Sequence, residues 1–177
     1  MSKISFGLSV SEIDRAIKEL REYQNSLCAK CQQLCERLCN EGIQIAQAHI
    51  GGSGFGKYIR LSSEITPEKA GCKAILIMED SQKIVSKWQN QDGVQSKEIS
   101  PALMLEFGAG LPAQNPANIP GVGTGTYGTH GNEPGWWYMD LQGAWHYSSG
   151  TSPKMPMYNA GKELKEKVVK IAREVFK

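Results

Sequence analysis

From Val10 to Glu41 apolar residues recur at alternating spacings of three and four: Val10, Ile13, Ile17, Leu20, Leu27, Leu34 and Leu38, interrupted by Gln24. Residues three and four apart lie on one side of an α-helix, so this rhythm predicts a single long helix with one apolar face. Ser9 and Glu12 have the spacing of a capping box, with Leu8 placed to act as its hydrophobic staple, and Gly42 stands where the helix bends or ends. At 1.5 Å per residue the segment spans about 48 Å. A compact chain of 177 residues has a radius of gyration of about 16 Å, hence a diameter of about 40 Å. The helix therefore either overhangs its own domain and offers its seam to a neighbouring subunit, or bends to cover its own sheet.

Cys28, Cys31, Cys35 and Cys39 fall within about 80° of each other on that helix and share its apolar face. They include a C-x-x-C, but four zinc ligands from one helix do not converge on a tetrahedral centre, and buried free cysteine behaves as a small hydrophobe. The stripe itself accounts for them as packing residues, with redox chemistry as the minor alternative.

Beyond the turn at Gly51-Gly52-Ser53-Gly54 the period shortens. Tyr58 to Ser62, Cys72 to Met78 and Lys83 to Trp88 predict three strands of a small antiparallel sheet. Ser100-Pro101 supplies an N-cap with proline at the first helical position and Gly108 a stop, so 101–107 is a short helix, with a strand as its rival. Met157, Ala160, Leu164, Val168, Ile171 and Val175 form the apolar face of a last helix, with Lys165, Glu166, Lys170 and Arg173 outward. The fold class expected is α+β: a long N-terminal helix, small antiparallel sheet, short central helix, long Gly/Trp-rich loop with a β-hairpin, and a C-terminal helix. It forms a single domain over 1–177, with 1–50 the long helical segment and 109–152 an extended arm.

That arm has its own character. Between Phe107 and Pro153 glycine, proline, asparagine and threonine crowd together and two aromatic clusters follow, Trp136-Trp137-Tyr138-Met139 and Ala144-Trp145-His146-Tyr147. Structureless loops longer than about 12–15 residues are uncommon unless functional or disordered, and the aromatic content argues for function. The clusters flank Asp140-Leu141-Gln142-Gly143, a turn, and so form a β-hairpin. A lone hairpin is marginal in water and must lean on something. Trp and Tyr are enriched at the centres of protein interfaces, which favours protein over glycan as the support. Gly135 to Tyr138 with Gly143 to Trp145 also resembles one unit of the aromatic repeats of choline-binding and related cell-wall-binding proteins, which implies a glycan-binding alternative. Those modules stack several units.

Catalytic signatures are missing from the letters. Gly123 to Gly128 matches G-x-G-x-x-G, but Pro116 and Pro120 precede it where a dinucleotide site needs a strand. Gly51 to Phe55 fails the nucleophile-elbow pattern at Phe55, and His49, His130 and His146 have no triad or metal spacing. No catalytic residue, metal ligand or cofactor-binding residue is expected. A net charge of +2 creates no long-range field, and no apolar run reaches the roughly 18 residues of a membrane span, so a soluble protein made in the cytoplasm is expected.

Ala102-Leu103-Met104-Leu105-Glu106-Phe107-Gly108-Ala109-Gly110 resembles the Glu-Phe-Gly-Thr-Gly segment of a neck and tail-component family of long-tailed bacteriophages. Pro153-Lys154-Met155-Pro156-Met157-Tyr158-Asn159-Ala160 resembles that family's Pro-Phe-Leu-Arg-Pro-Ala segment, which leads into its final helix. The order of parts matches too. Ala109 stands for the usual Thr, Met155 for the aromatic, and Met157-Tyr158-Asn159 where the family tends to place Arg-Pro-Ala. The resemblance implies a non-catalytic virion protein, assembled in the host cytoplasm, that joins or completes the tail at the neck as a ring, a hexamer or dodecamer. Its partners would be adjoining neck, connector or tail proteins, with non-specific DNA in the lumen and no membrane. The interface residues expected are Trp136, Trp137, Tyr138, Trp145, Tyr147, Glu106, Phe107, Met155 and Met157. Phe107 is expected as a core anchor, and Glu106 as a cap of nearby amides or a partner across the subunit boundary.

Overall fold

A computed structural model describes residues 9–68, 71–90, 93–109, 136–139 and 142–177. Helix α1 runs from Val10 to Ile50, about 60 Å. The carbonyl of Ser9 accepts from the amides of Glu12 and Ile13, but its hydroxyl donates to the Glu12 carboxylate instead of accepting from a backbone amide. The capping box is thus not made: its two side chains bond each other and neither accepts from a backbone amide. Its expected staple, Leu8, lies outside the described residues.

Gly42 does not end α1, which continues to Ile50. Its role is close approach: a Cβ there would lie 2.9 Å from Leu164 Cδ1 and 3.0 Å from Leu76 Cδ2. The absent side chain lets α1 settle against a strand and a helix together.

Strands β1 (Ile59–Glu68) and β2 (Gly71–Asp80) form one antiparallel hairpin, in register from Ile59 opposite Asp80 to Glu68 opposite Gly71. Strands β3 (Ile84–Asn90) and β4 (Gly93–Ile99) form a second. The three expected strands correspond to β1, β2 and β3; β4 is additional, and Gly93-Val-Gln-Ser-Lys-Glu-Ile99 has only two apolar side chains to announce it. Helix α2 (Pro101–Phe107) follows, then a third hairpin of β5 (Trp136–Met139) and β6 (Trp145–Ser148), with β5 lying beside β3. The chain closes with α3 (Pro156–Val175).

The main core lies where α1, β1, β2 and α3 meet. Ile45, Ala46 and Ala160 are buried there against Leu61, Leu76, Met157 and Leu164. Helix α3 runs antiparallel to α1, as its polar side-chain contacts record: Glu163 with His49 at 3.5 Å, Lys167 with Glu41 at 2.7 Å, Glu174 with Arg37 at 2.6 Å. On the other side Cys35 Sγ donates to the Cys72 carbonyl at 3.6 Å near the start of β2. Cys39 is buried, and Cys28, Cys31, Cys35 and Cys72 are half-buried free thiols. Burial pushes the Cys35 thiol up to about 11, helped by its contact with Cys72.

Both supports end near Cys35, because α3 stops at Val175 and β2 begins at Gly71. Val10 to Leu27 continues beyond them for about 27 Å. Along it Val10 is 77% exposed, Leu20 53% and Tyr23 59%, with Ile13, Ile17 and Leu27 exposed as well. Ala16 is the buried exception. Of the two arrangements open to it, the helix takes the overhanging one.

Candidate interaction surface

The corner that launches the arm is built from the ends of three helices. Helix α2 starts at Ser100, whose hydroxyl accepts from Leu103 N at 3.2 Å, while Asp80 Oδ1 accepts from Ala102 N at 2.8 Å. Two of its orphan amides are thereby satisfied, one by a residue 22 positions upstream. At its far end Gly108 adopts φ 74°, a left-handed conformation that suits glycine. Ala109 then pairs with Thr151 through two backbone hydrogen bonds of 2.9 and 2.8 Å. Everything from 110 to 150 leaves and returns through that bridge.

Glu106 holds the return strand in place. Its Oε2 accepts from Met157 N and its Oε1 from Tyr158 N, both at 3.0 Å. Those are the second and third residues of α3, so this carboxylate caps a helix from 51 positions away in sequence. The help is needed, because the N-cap residue Met155 offers no side-chain acceptor and sits at φ 50°, ψ 49°, left-handed geometry that is strained for a non-glycine residue. Leu105 O accepts from Lys154 N and Met155 N, and Lys154 Nζ donates to Gly51 O at the end of α1. Asn159 Nδ2 donates to Lys154 O at 3.1 Å. Of the two roles expected for Glu106, the intrachain cap is the one formed.

One expectation changes at this corner. Phe107 is not the core anchor; it is exposed, and the fully buried residue is its neighbour but one, Leu105. The helical turn decides this, since Pro101, Ala102, Met104 and Leu105 take the inward face. Met155 is buried in its own chain, and Glu106 and the half-buried Met157 are engaged there by the cap and the core.

The aromatic hairpin supplies the surface proper. Trp137 lies opposite Tyr147 and Met139 opposite Trp145, so these four share one face by strand alternation. Trp137 and Tyr147 meet edge to face, ring centroids 5.4 Å apart at 64°, the geometry aromatic quadrupoles favour. Trp137, Trp145 and Tyr147 remain exposed, at 55%, 43% and 56%. Met139, half-buried, joins them, and its spacing of two from Trp137 is the signal that identifies it. The side chains of Trp136 and Tyr138 lie outside the described residues, as does the Gly123–Gly128 segment. Gly143 at φ 86° confirms its end of the turn.

No family model matches this chain, and no curated protein or solved structure matches it. The likeness to phage neck proteins therefore rests on the two motifs and the order of the parts. The motifs meet in space: Glu106 of the first motif binds the amides of Met157 and Tyr158 in the second. Among the described residues no group of three or more His, Cys, Asp or Glu is placed to hold a metal ion, and no helix is long and apolar enough to cross a membrane.

Proposed function

We propose that this chain is a structural virion protein of a tailed phage or prophage, forming part of the neck or tail-completion ring that joins tail to head. The observation that supports it most is the exposed aromatic face of Trp137, Trp145 and Tyr147, with half-buried Met139 beside them, carried on an insertion whose base is clamped at Ala109 and Thr151. Large, rigid aromatics on a held scaffold are what interface centres use, because they bury much area for little side-chain entropy. In a ring each copy would lay this face on a different surface of the next, a heterologous contact. Adjoining neck, connector or tail proteins would take the ring's outer faces. The role assigns no catalytic step, cofactor or metal to the chain.

The test is assembly. Negative-stain electron microscopy and mass photometry of the purified protein, alone and with its neighbouring virion proteins, should find rings of six or twelve copies. Trp137→Ala with Trp145→Ala should abolish them while far-UV circular dichroism stays unchanged. Rings that persist in this variant, or a wild-type chain that forms none with any neck protein, would remove the proposal. The glycan-binding alternative has weaker support, since an edge-to-face pair offers no flat platform on which a sugar could stack. Quenching of tryptophan fluorescence by choline or wall polysaccharide would revive it.

A further inference from the structure

The overhang of α1 carries more information than its exposure. With Val10 at heptad position a, Ile17 and Gln24 also fall at a, and Ile13, Leu20 and Leu27 at d. Apolar residues at a and d, interrupted only by Gln24, make the seam of a coiled coil. The stripe lies on the same side of α1 as the residues that meet the chain's own body. Cys35 touches Cys72, Gly42 abuts Leu76 and Leu164, and Ile45 packs with Ala160. A parallel partner seated on the stripe would have to continue through the volume that β2 and α3 fill. An antiparallel partner meets no such obstacle, because its own body lies beyond Val10 while its first turn arrives beside Leu27.

We infer that Val10–Leu27 pairs antiparallel with the same segment of a second copy, about a two-fold axis passing between Lys18 and Glu19. In this register Val10 meets the partner's Leu27 and Ile17 the partner's Leu20, so the exposed segment is covered over its whole length. Charge selects the register. Asp14 and Arg21 both flank the stripe at position e, and here each Asp14 faces the partner's Arg21. A slip of one heptad places Asp14 beside the partner's Asp14, and the opposite slip places Arg21 beside the partner's Arg21. Neither residue has an ion-pair partner among the described residues, whereas Arg15 and Lys18 are paired along the helix with Glu19 and Glu22.

The contact is isologous, so it saturates at two copies and leaves the aromatic hairpin free for other contacts. It stands on the geometry of α1 and holds whether or not the chain belongs to a virion.

The decisive experiment uses the full chain in the Trp137→Ala, Trp145→Ala background, so that ring formation does not mask pairing. Sedimentation equilibrium should show a monomer–dimer equilibrium. Asp14→Arg alone or Arg21→Asp alone should weaken it on the order of 10-fold, and the two together should restore it to within about 3-fold of the parent. Both positions are exposed, so the fold tolerates the exchange, and circular dichroism verifies it. In a parallel pair positions 14 and 21 do not face each other, so single changes without effect would overturn the inference, as would a monomer at every concentration. Persistence of the dimer in Leu20→Asp would overturn it equally.

Discussion

Replacing Glu106 by alanine should loosen the first turn of α3 and, with it, the base of the arm. The carboxylate accepts two backbone hydrogen bonds of 3.0 Å at the positive end of a 20-residue helix. Charge-assisted bonds are each worth about 1.5–3 kcal/mol net, but Tyr158 N is exposed and regains water when the acceptor goes. Taking the lower figure for Met157 N and about 0.5–1 kcal/mol for Tyr158 N and the lost helix-dipole term together gives a cost of about 2–2.5 kcal/mol. Pro156 has no amide to lose and Met155 has no acceptor to substitute, so no local group can compensate. Glu106→Gln keeps one acceptor, loses the charge and turns its NH2 toward a donor, and should cost about 1 kcal/mol. Urea unfolding followed at 222 nm measures both. For a chain of this size the alanine variant should melt roughly 4–10 °C lower. Hydrogen exchange should quicken first at the Met157 and Tyr158 amides. An alanine variant within about 0.5 kcal/mol of wild type, with those amides still protected, would show that the cap is ornamental and the corner held by Leu105 O alone.

Gly42→Ala gains about 1 kcal/mol of helix propensity but places its Cβ 2.9 Å from Leu164 Cδ1 and 3.0 Å from Leu76 Cδ2. A net loss of about 0–2 kcal/mol is expected, and Leu164→Ala in the same chain should be less than additive with it in a double-mutant cycle. Cys35, raised from 9.0 to about 11, should be alkylated at pH 8 about 100-fold more slowly than a thiol at the ordinary value, because its thiolate fraction falls by that factor. Peptide-resolved iodoacetamide labelling reads this out, and a rate equal to that of a free thiol contradicts the burial assigned to it. The Arg37 hydrogen bond holds the Glu174 carboxyl below its ordinary 4.5. The stabilisation it gives is therefore present above 4.5 and lost as pH falls through the lower folded value. Arg37→Gln should flatten that acid loss in urea midpoints between pH 3 and 6, by a small amount since both side chains are about two-fifths exposed.

The helices were legible because their signals are local. Alternating threes and fours gave α1, Ser100-Pro101 with Gly108 gave α2, and the face from Met157 to Val175 gave α3. The aromatic hairpin was legible as well, since two clusters about a turn leave few other ways to pair. What escaped were features set by distant residues. Nothing adjacent to Gly42 shows that Leu76 and Leu164 will converge on it, so its helix-breaking tendency was the visible property and its close approach the hidden one. Phe107 is a larger hydrophobe than Leu105, yet a helix of seven residues buries one side only, and the side is chosen by partners elsewhere in the chain. Glu106 was half legible: its motif marked it, and its partner amides lay in the second motif.

The corner also explains how such an arm can be carried at little cost to the fold. The end of α2, the start of α3 and the end of α1 are tied together by Glu106, Leu105 O and Lys154, all outside the arm. Among the described residues the segment from 110 to 150 joins this knot at Ala109 and Thr151, and its strand β5 lies beside β3. Closing a loop across a fixed gap costs entropy that grows slowly, about 0.6 kcal/mol for each doubling of length. A change of length between 109 and 136 is therefore expected to cost the body little. The body, by contrast, cannot change Glu106, Gly42 or Leu105 without feeling it. A division of this kind separates a part that must fold from a part that must fit a partner. It leads to a direct expectation: deleting 110–135 and joining 109 to 136 through a short glycine linker should leave the urea midpoint of the body within about 1 kcal/mol of wild type while altering assembly. A collapse of stability on that deletion would mean that the arm is part of the core.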